Sequence, residues 1–210
     1  MQRKCVIMRE KLEQVAAALK NRRFDVAIFD TGAQAVAHIL ADLPAAQVIG
    51  MGGSKTLAQL DLRTALTTAG HTVHWHQGAP LSEAPAIRRN AMCSKVYIAS
   101  ANAVTEDGLI VQIDGTGNRV AALCYGPETV YMIVGRNKIV AGGYQQAVRR
   151  IKQVACPQNA RRLNLNTPCA TGECDVSACK NPMCNMILAL EGAPGAKRTQ
   201  VILINEDLGF

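Results

Sequence analysis

Short apolar runs alternate with amphipathic segments through the first half of the chain, and this alternation constrains the fold more than any other feature of its 210 residues. Met8, Leu12, Val15, Ala16 and Leu19 recur at helical spacing with charges between them, which predicts a helix within residues 1–24. Asp25 to Phe29 reads as a buried strand. Thr31 is placed to cap a second helix through Val36, Ile39 and Leu40, stopped by Pro44. Gln47 to Gly50 predicts the next strand, Gly52 to Ser54 a turn, and Lys55 to Ala69 a third helix closed by Gly70. Thr72 to His76, Ser82 to Met92 and Lys95 to Ala99 continue as strand, helix and strand. This succession predicts an α/β fold, a mostly parallel central sheet flanked by helices.

The pattern then changes. Leu109 to Ile113 and Arg119 to Leu123 are apolar runs joined by Asp114-Gly115-Thr116-Gly117-Asn118, which predicts an added β-hairpin. Thr129 to Val134 and Lys138 to Val140 read as strands. Tyr144 to Val154 reads as a helix with Val148, Ile151 and Val154 on one side. Met186 to Leu190 and Gln200 to Ile204 read as the last strands. A chain of this length that is 49% hydrophobic can bury one sizeable core and is short for two, so residues 1–210 are expected to form a single domain. Aromatic residues make up only 4%, so that core must be mostly aliphatic.

Lys and Arg number 23 against 16 Asp and Glu, a net charge of +7, which suits an anionic ligand. The basic residues are scattered, with small groups at Lys20 to Arg23, Arg149 to Lys152 and Arg161 to Arg162. Nucleic-acid binding, which favours clustered charge and exposed aromatics, is not expected; the groups read as solvated helix faces and ends. No segment is apolar for long enough to span a bilayer. Arg9, Glu10, Lys11 and Glu13 interrupt any apolar leader, so a cytoplasmic location is expected.

The sharpest local signal is Val48-Ile49-Gly50-Met51-Gly52-Gly53-Ser54-Lys55-Thr56. Gly50, Gly52 and Gly53 permit unusual backbone angles, and Ser54 opens a helix. Unpaired N–H groups and the helix dipole at such a start attract a phosphate or carboxylate, to which Lys55 adds a full charge and Thr56 a hydroxyl. The spacing is not that of a P-loop. The same run reads equally well as a tight turn with Ser54 as a plain N-cap.

Between Ser100 and Ile110, Glu106 and Asp107 precede Gly108 at the mouth of a hairpin, a combination that by itself is a polar β-turn. Gly52-Gly53-Ser54-Lys55-Thr56, the run Ala101 to Gly108, Gly115-Thr116-Gly117-Asn118-Arg119 and Asn205-Glu206-Asp207-Leu208-Gly209-Phe210, in that order and spacing, resemble the LUD-domain family, the lactate-utilisation protein C group. The resemblance covers nearly the whole chain. It implies a fold similar to the superfamily of ribose-phosphate isomerase, glucosamine-phosphate deaminase and CoA transferases. It also implies a part in lactate or related organic-acid utilisation beside iron–sulfur partner proteins. Thr105-Glu106-Asp107-Gly108 is similar to the Ser-Glu-Asn-Gly stretch of class I CoA transferases, whose glutamate carries CoA as a thioester, although Thr105 and Asp107 depart from it. Glu106 is thus implied as the catalytic group, in CoA transfer or as a base toward a hydroxy acid or sugar phosphate. The ligand would lie between the Gly50 to Ser54 loop and the Glu106 hairpin, with Asn102 and Asn118 shaping the rim.

Eight cysteines complete the inventory. Cys169, Cys174, Cys179 and Cys184 follow one another at intervals of five in a cysteine-rich loop, residues 167–186. Four thiolates in one loop can close a zinc or iron–sulfur site, though the spacing matches neither zinc C-x-x-C pairs nor ferredoxin runs. Thr167 to Cys174 resembles a cysteine-bearing LUD subgroup. A metal site, a redox-active thiol pair and a packed loop of reduced cysteines all remain open, and the first two would suit an accessory or redox subunit. Cys5, Cys93, Cys124 and Cys156 stand singly; three lie beside apolar residues and are expected in the core. His74 and His76 would share a strand face, with Trp75 turned into the core. Homo-oligomerisation is compatible with the sequence.

Overall fold

The computed structural model describes residues 2–180, 182–195 and 197–210, with the side chains of residues 2–8 outside the description. Met8 and Cys5 therefore lie outside the described side chains. Helix α1 (Gln2–Asn21) leads into β1 (Asp25–Phe29), α2 (Gly32–Asp42), β2 (Val48–Met51), α3 (Lys55–Gln59), α4 (Leu62–Thr68), β3 (Thr72–Trp75), α5 (Ala84–Met92) and β4 (Val96–Ser100). There follow β5 (Ala103–Thr105), β6 (Ile110–Asp114), α6 (Asn118–Cys124), β7 (Thr129–Gly135), a 3-10 turn (Arg136–Lys138) and β8 (Ile139–Val140). Then come α7 (Tyr144–Arg150), a π turn (Ile151–Ala155), α8 (Cys156–Arg162), α9 (Pro168–Thr171), β9 (Met186–Leu190) and β10 (Arg198–Ile204).

Six strands form one parallel sheet in the order β1-β10-β7-β4-β2-β3. Its central strands are apolar at successive positions because both faces are covered. Tyr97, Ala99, Val130, Met132, Val201 and Leu203 point one way, toward Leu12, Val15, Ala16 and Leu19 of α1. Val96, Ile98, Tyr131, Ile133, Ile202 and Ile204 point the other way, toward Ala35, Ile39, Leu57, Leu62 and Leu66. Thr31 caps α2 through the Gln34 amide in a reciprocal capping box.

A second, mixed sheet has the order β8-β5-β6-β9 and packs Ala103, Val111 and Ile113 against Ala147 and Ile151. The hairpin is β5 with β6, whereas the expected second arm, Arg119 to Leu123, is helix α6. Buried Asp114 accepts hydrogen bonds from the Arg119 and Val120 amides and so starts that helix from outside. The expected third helix is broken at Asp61, which is left-handed at φ 45°. In an unbroken helix Leu57 and Leu62 would point about 140° apart; the break lets both reach the core. The helix begun at Tyr144 runs past Val154 to Arg162 by way of the π turn. Pro157 has no N–H to continue the regular ladder, and the added residue turns Ala155 and Cys156 inward while Val154 is exposed.

Candidate functional site

In an open α/β sheet, ligands bind beyond the carboxyl ends of the strands. A cavity of about 970 Å³ lies at this edge. It is lined by Gly53 to Thr56 after β2, His76 and Gln77 after β3, Ser100 at the end of β4, Lys138 after β7, and Asp114 to Arg119 between β6 and α6. Arg88 of α5, Arg162 of α8 and Lys180 reach it from the sides.

The cavity wall is strongly basic. Lys55, Arg88, Arg119, Lys138, Arg162 and Lys180 line it, against Asp114 as the acid among the described residues. Arg119 stands 3.6 Å from the Asp114 carboxylate. The other five basic side chains have no carboxylate within ion-pair distance among the described residues. The ring of His76 is held neutral, its pKa lowered to about 4 by burial and then by Arg88 and Arg119. His76 Nδ1 and Arg88 Nε are buried without a hydrogen-bond partner, a cost that a ligand could offset.

Lys138 is the most deeply buried of these basic residues, 3% exposed. Its Nζ is 2.7 Å from Thr56 Oγ1 and 2.7 Å from Ser100 Oγ, both buried hydroxyls. Burial, then the Arg150 and Arg119 guanidiniums, lower its pKa to about 7.

The expected glycine-loop residues divide. Gly53, Ser54, Lys55 and Thr56 line the cavity, as do Asn102 and Asn118. The loop amides are partly used by the protein itself: Ser54 N–H donates to Gln77 Oε1, Gly52 N–H to the Ile98 carbonyl, and Leu57 N–H to Ser54 Oγ. Gly50 is absent from the lining, because it lies under α5, where an added Cβ would stand 2.0 Å from the Ala91 carbonyl oxygen. Gly52 is pressed between Arg119 and Tyr97. Asn102 ties strands together, accepting from the Ile113 amide, and Asn118 accepts from Thr116.

Glu106 is not brought to this cavity. It sits at the tip of the β5–β6 hairpin, half exposed, with its carboxylate 2.6 Å from Lys11 Nζ on α1. Gly108, at φ 85°, closes the hairpin against the α1 backbone at Ala18 and Leu19. Asp107 lies beside it, its carboxyl held below the usual range by the Thr105 hydroxyl and Arg22. The expected juxtaposition of the glycine loop with the Glu106 carboxylate is therefore absent.

The cysteine-rich loop walls a second cavity of about 300 Å³, lined by Cys156, Cys169, Cys174, Cys179, Cys184 and Lys152 among others. Lys152 Nζ is 3.0 Å from Cys184 Sγ. Among the described residues, however, no three His, Cys, Asp or Glu side chains stand close enough to hold a metal ion. The seven described cysteines are free thiols. Cys156 is buried, as expected of a core residue, whereas Cys93 and Cys124 are exposed because each ends a helix on its solvent side. Burial pushes the Cys156 thiol up to about 12, and the other thiols of the cavity add to this. Iodoacetamide treatment of the native protein at pH 8 is expected to alkylate exposed Cys93, Cys124 and Cys174 while sparing Cys156. Peptide mass spectrometry reads the outcome; early modification of Cys156 would contradict it.

The sequence profile of the LUD domain matches residues 12–204. The chain belongs to the LUD-domain family. A crystal structure of a DUF162 family protein from Deinococcus radiodurans has a similar fold, with a TM-score of 0.52 at 16% identity over 94% of this chain and 98% of that one. No curated protein matches. No helix among the described residues of this LUD-domain chain is long and apolar enough to cross a membrane.

In the sequence Lys138, Ser100 and Arg88 carry no functional motif, Arg119 belongs only to the family likeness, and Arg162 reads as part of a solvated basic group. A signal for Lys138 existed. It is a lysine just past the carboxyl end of a predicted buried strand, in a fold whose ligands collect at that edge.

Proposed function

We propose that the cavity binds a small organic molecule bearing more than one negative charge, and that through it the protein serves the utilisation of lactate or related organic acids. The observation that carries this reading is the set of four cations, Lys55, Arg88, Arg162 and Lys180, that have no carboxylate partner among the described residues and surround one cavity together with Lys138. The orphaned Arg88 Nε and His76 Nδ1 support it. A volume of about 970 Å³ is far more than a three-carbon acid fills, so the acid would be bound as part of a larger anion, such as a phosphorylated or CoA-linked form. Transfer of CoA, or isomerisation, through Glu106 draws no support from a carboxylate paired with Lys11 outside the cavity.

Calorimetry with lactate, pyruvate, a sugar phosphate and an acyl-CoA tests the reading. The multiply charged compounds are expected to bind more tightly than lactate, with affinity falling as salt rises. Arg88→Ala should weaken binding about tenfold to a hundredfold, the loss of a charged hydrogen bond of roughly 1.5–3 kcal/mol. Heat-silent titrations with all four compounds would sink the proposal.

An accessory or redox role draws on a different observation, the five thiols around the second cavity. Metal analysis and an absorbance spectrum of anaerobically purified protein test it, and a colourless, metal-free protein leaves only thiol chemistry for that loop.

A further inference from the structure

We propose that Ser100 is a nucleophile for acyl transfer, with Lys138 as its general base and Thr56 as the group that positions the lysine. The inference rests on the anion-binding reading of the cavity and names a reaction class for it, cleavage of esters or thioesters that carry an anionic group.

The three side chains are buried, line the same cavity, and form a chain of short contacts. Thr56 Oγ1 donates to the Leu208 carbonyl at 3.1 Å. Its hydrogen is thereby committed, and its oxygen is left to accept from Lys138 Nζ at 2.7 Å. The lysine is fixed by that bond, with its nitrogen 2.7 Å from Ser100 Oγ; the other acceptors within reach of the Ser100 hydroxyl, Thr56 Oγ1 and the Ala101 carbonyl, are farther away, at 3.3 Å each. A neutral amine keeps a lone pair that can receive the Ser100 proton. The surroundings favour the neutral amine: the charged groups acting on Lys138 are Arg150 of α7 and Arg119 of α6, both cations, and it pairs with no carboxylate among the described residues. Nucleophile, base and orienting third group within hydrogen-bond reach are the arrangement that nucleophilic catalysis requires.

The step balances as follows. Ser100 Oγ bonds to the acyl carbon while its proton passes to Lys138 Nζ. The tetrahedral centre then collapses, the bond to the alkoxide or thiolate leaving group breaks, and Lys138 returns the proton to that group. Water repeats the sequence on the acyl-serine, releasing the acid and regenerating both side chains. The cationic wall would stabilise negative charge as it develops.

An alkyl fluorophosphonate tests the dyad without knowledge of the natural substrate. Ser100 Oγ bonds to phosphorus and fluoride leaves. The native chain should gain one phosphonyl group, located to Ser100 by peptide mass spectrometry. The labelling rate should rise with pH through a single ionisation near 7. Lys138→Met, checked for native circular dichroism, should label at least about a hundredfold more slowly. Wild-type protein left unlabelled, labelling of Ser100 without pH dependence, or an unchanged rate in folded Lys138→Met would each overturn the proposal. Wild-type protein that stays unlabelled yet binds an acyl-CoA by calorimetry would overturn the dyad alone. Protein that stays unlabelled and binds none of lactate, pyruvate, the sugar phosphate and the acyl-CoA would remove the anion-binding reading as well.

Discussion

Lys138→Met is expected to remove the larger part of a rise in stability between pH about 7 and 10.5, to which Lys197, its pKa lowered to about 8, also contributes. In the fold the amine ionises near 7, against 10.5 for a solvated lysine. Between those values the unfolded chain holds a proton that the folded chain has given up. Stability must then rise with pH across that window, and below it the folded state carries the full penalty of an unpaired, buried ammonium. That penalty is on the order of 3–5 kcal/mol. Methionine fills a similar volume but leaves Ser100 and Thr56 without their shared partner, a loss of roughly 1–3 kcal/mol that does not vary with pH. Urea unfolding at pH 6.5, 8 and 9.5 should show wild type gaining on the variant at each step, and parallel behaviour would contradict the account. His76 acts in a separate, lower window. Its pKa near 4 in the fold, against 6.5, makes stability fall as pH drops between those values.

Gly50→Ala is expected to be the most damaging single-methyl change in the sheet. Gly50 pairs with Tyr97 and His74 on neighbouring strands, and its Cα faces the backbone of Ala91 in α5. A Cβ built there meets a carbonyl oxygen, its carbon and a Cα at 2.0, 2.7 and 2.9 Å, all backbone, so no side chain can turn aside. Either α5 lifts from the sheet or β2 bows. We expect a loss of about 3 kcal/mol or more and a fall in Tm of roughly 6–12 °C, measured by thermal denaturation. Anion affinity of the folded fraction should be retained, because Gly50 packs beneath the cavity wall and does not form it. A well-folded Gly50→Ala with no change in Tm would refute the packing role.

These two residues show how far the sequence could be read. Gly50 is prominent in the sequence because it stands in a strand–turn–helix run, and the regular succession of such runs made the parallel sheet and its helices legible. Its use was not legible, since a glycine that admits a ligand and one that admits a helix backbone look alike in one dimension. Lys138 is the reverse case. It reads as an ordinary basic residue before a short strand, and only the crossing of β4, β7 and the start of α3 puts it against Ser100 and Thr56. Arg119 to Leu123 misled because a five-residue apolar run carries too little periodicity to separate strand from helix, and the Asp114 cap that decides it is a tertiary contact. Glu106 was singled out by a motif likeness, but Lys11, distant in sequence, claims its carboxylate. The cysteines were easy to count, yet their gathering around one small cavity depends on Cys156 from α8.

The most direct test of the basic cavity is the proton balance of ligand binding. At pH 8 Lys138 is largely neutral, and it must stay so with an acyl-CoA bound if it is to take the Ser100 proton, so the anionic groups are held by Lys55, Arg88, Arg162 and Lys180 and no proton is drawn in. Calorimetric titration of the protein with an acyl-CoA in two buffers of unlike ionisation enthalpy gives that number. The account predicts binding with almost no proton uptake, weakened by Arg88→Ala; uptake of a large fraction of one proton by the wild type, or no binding at all, would contradict it.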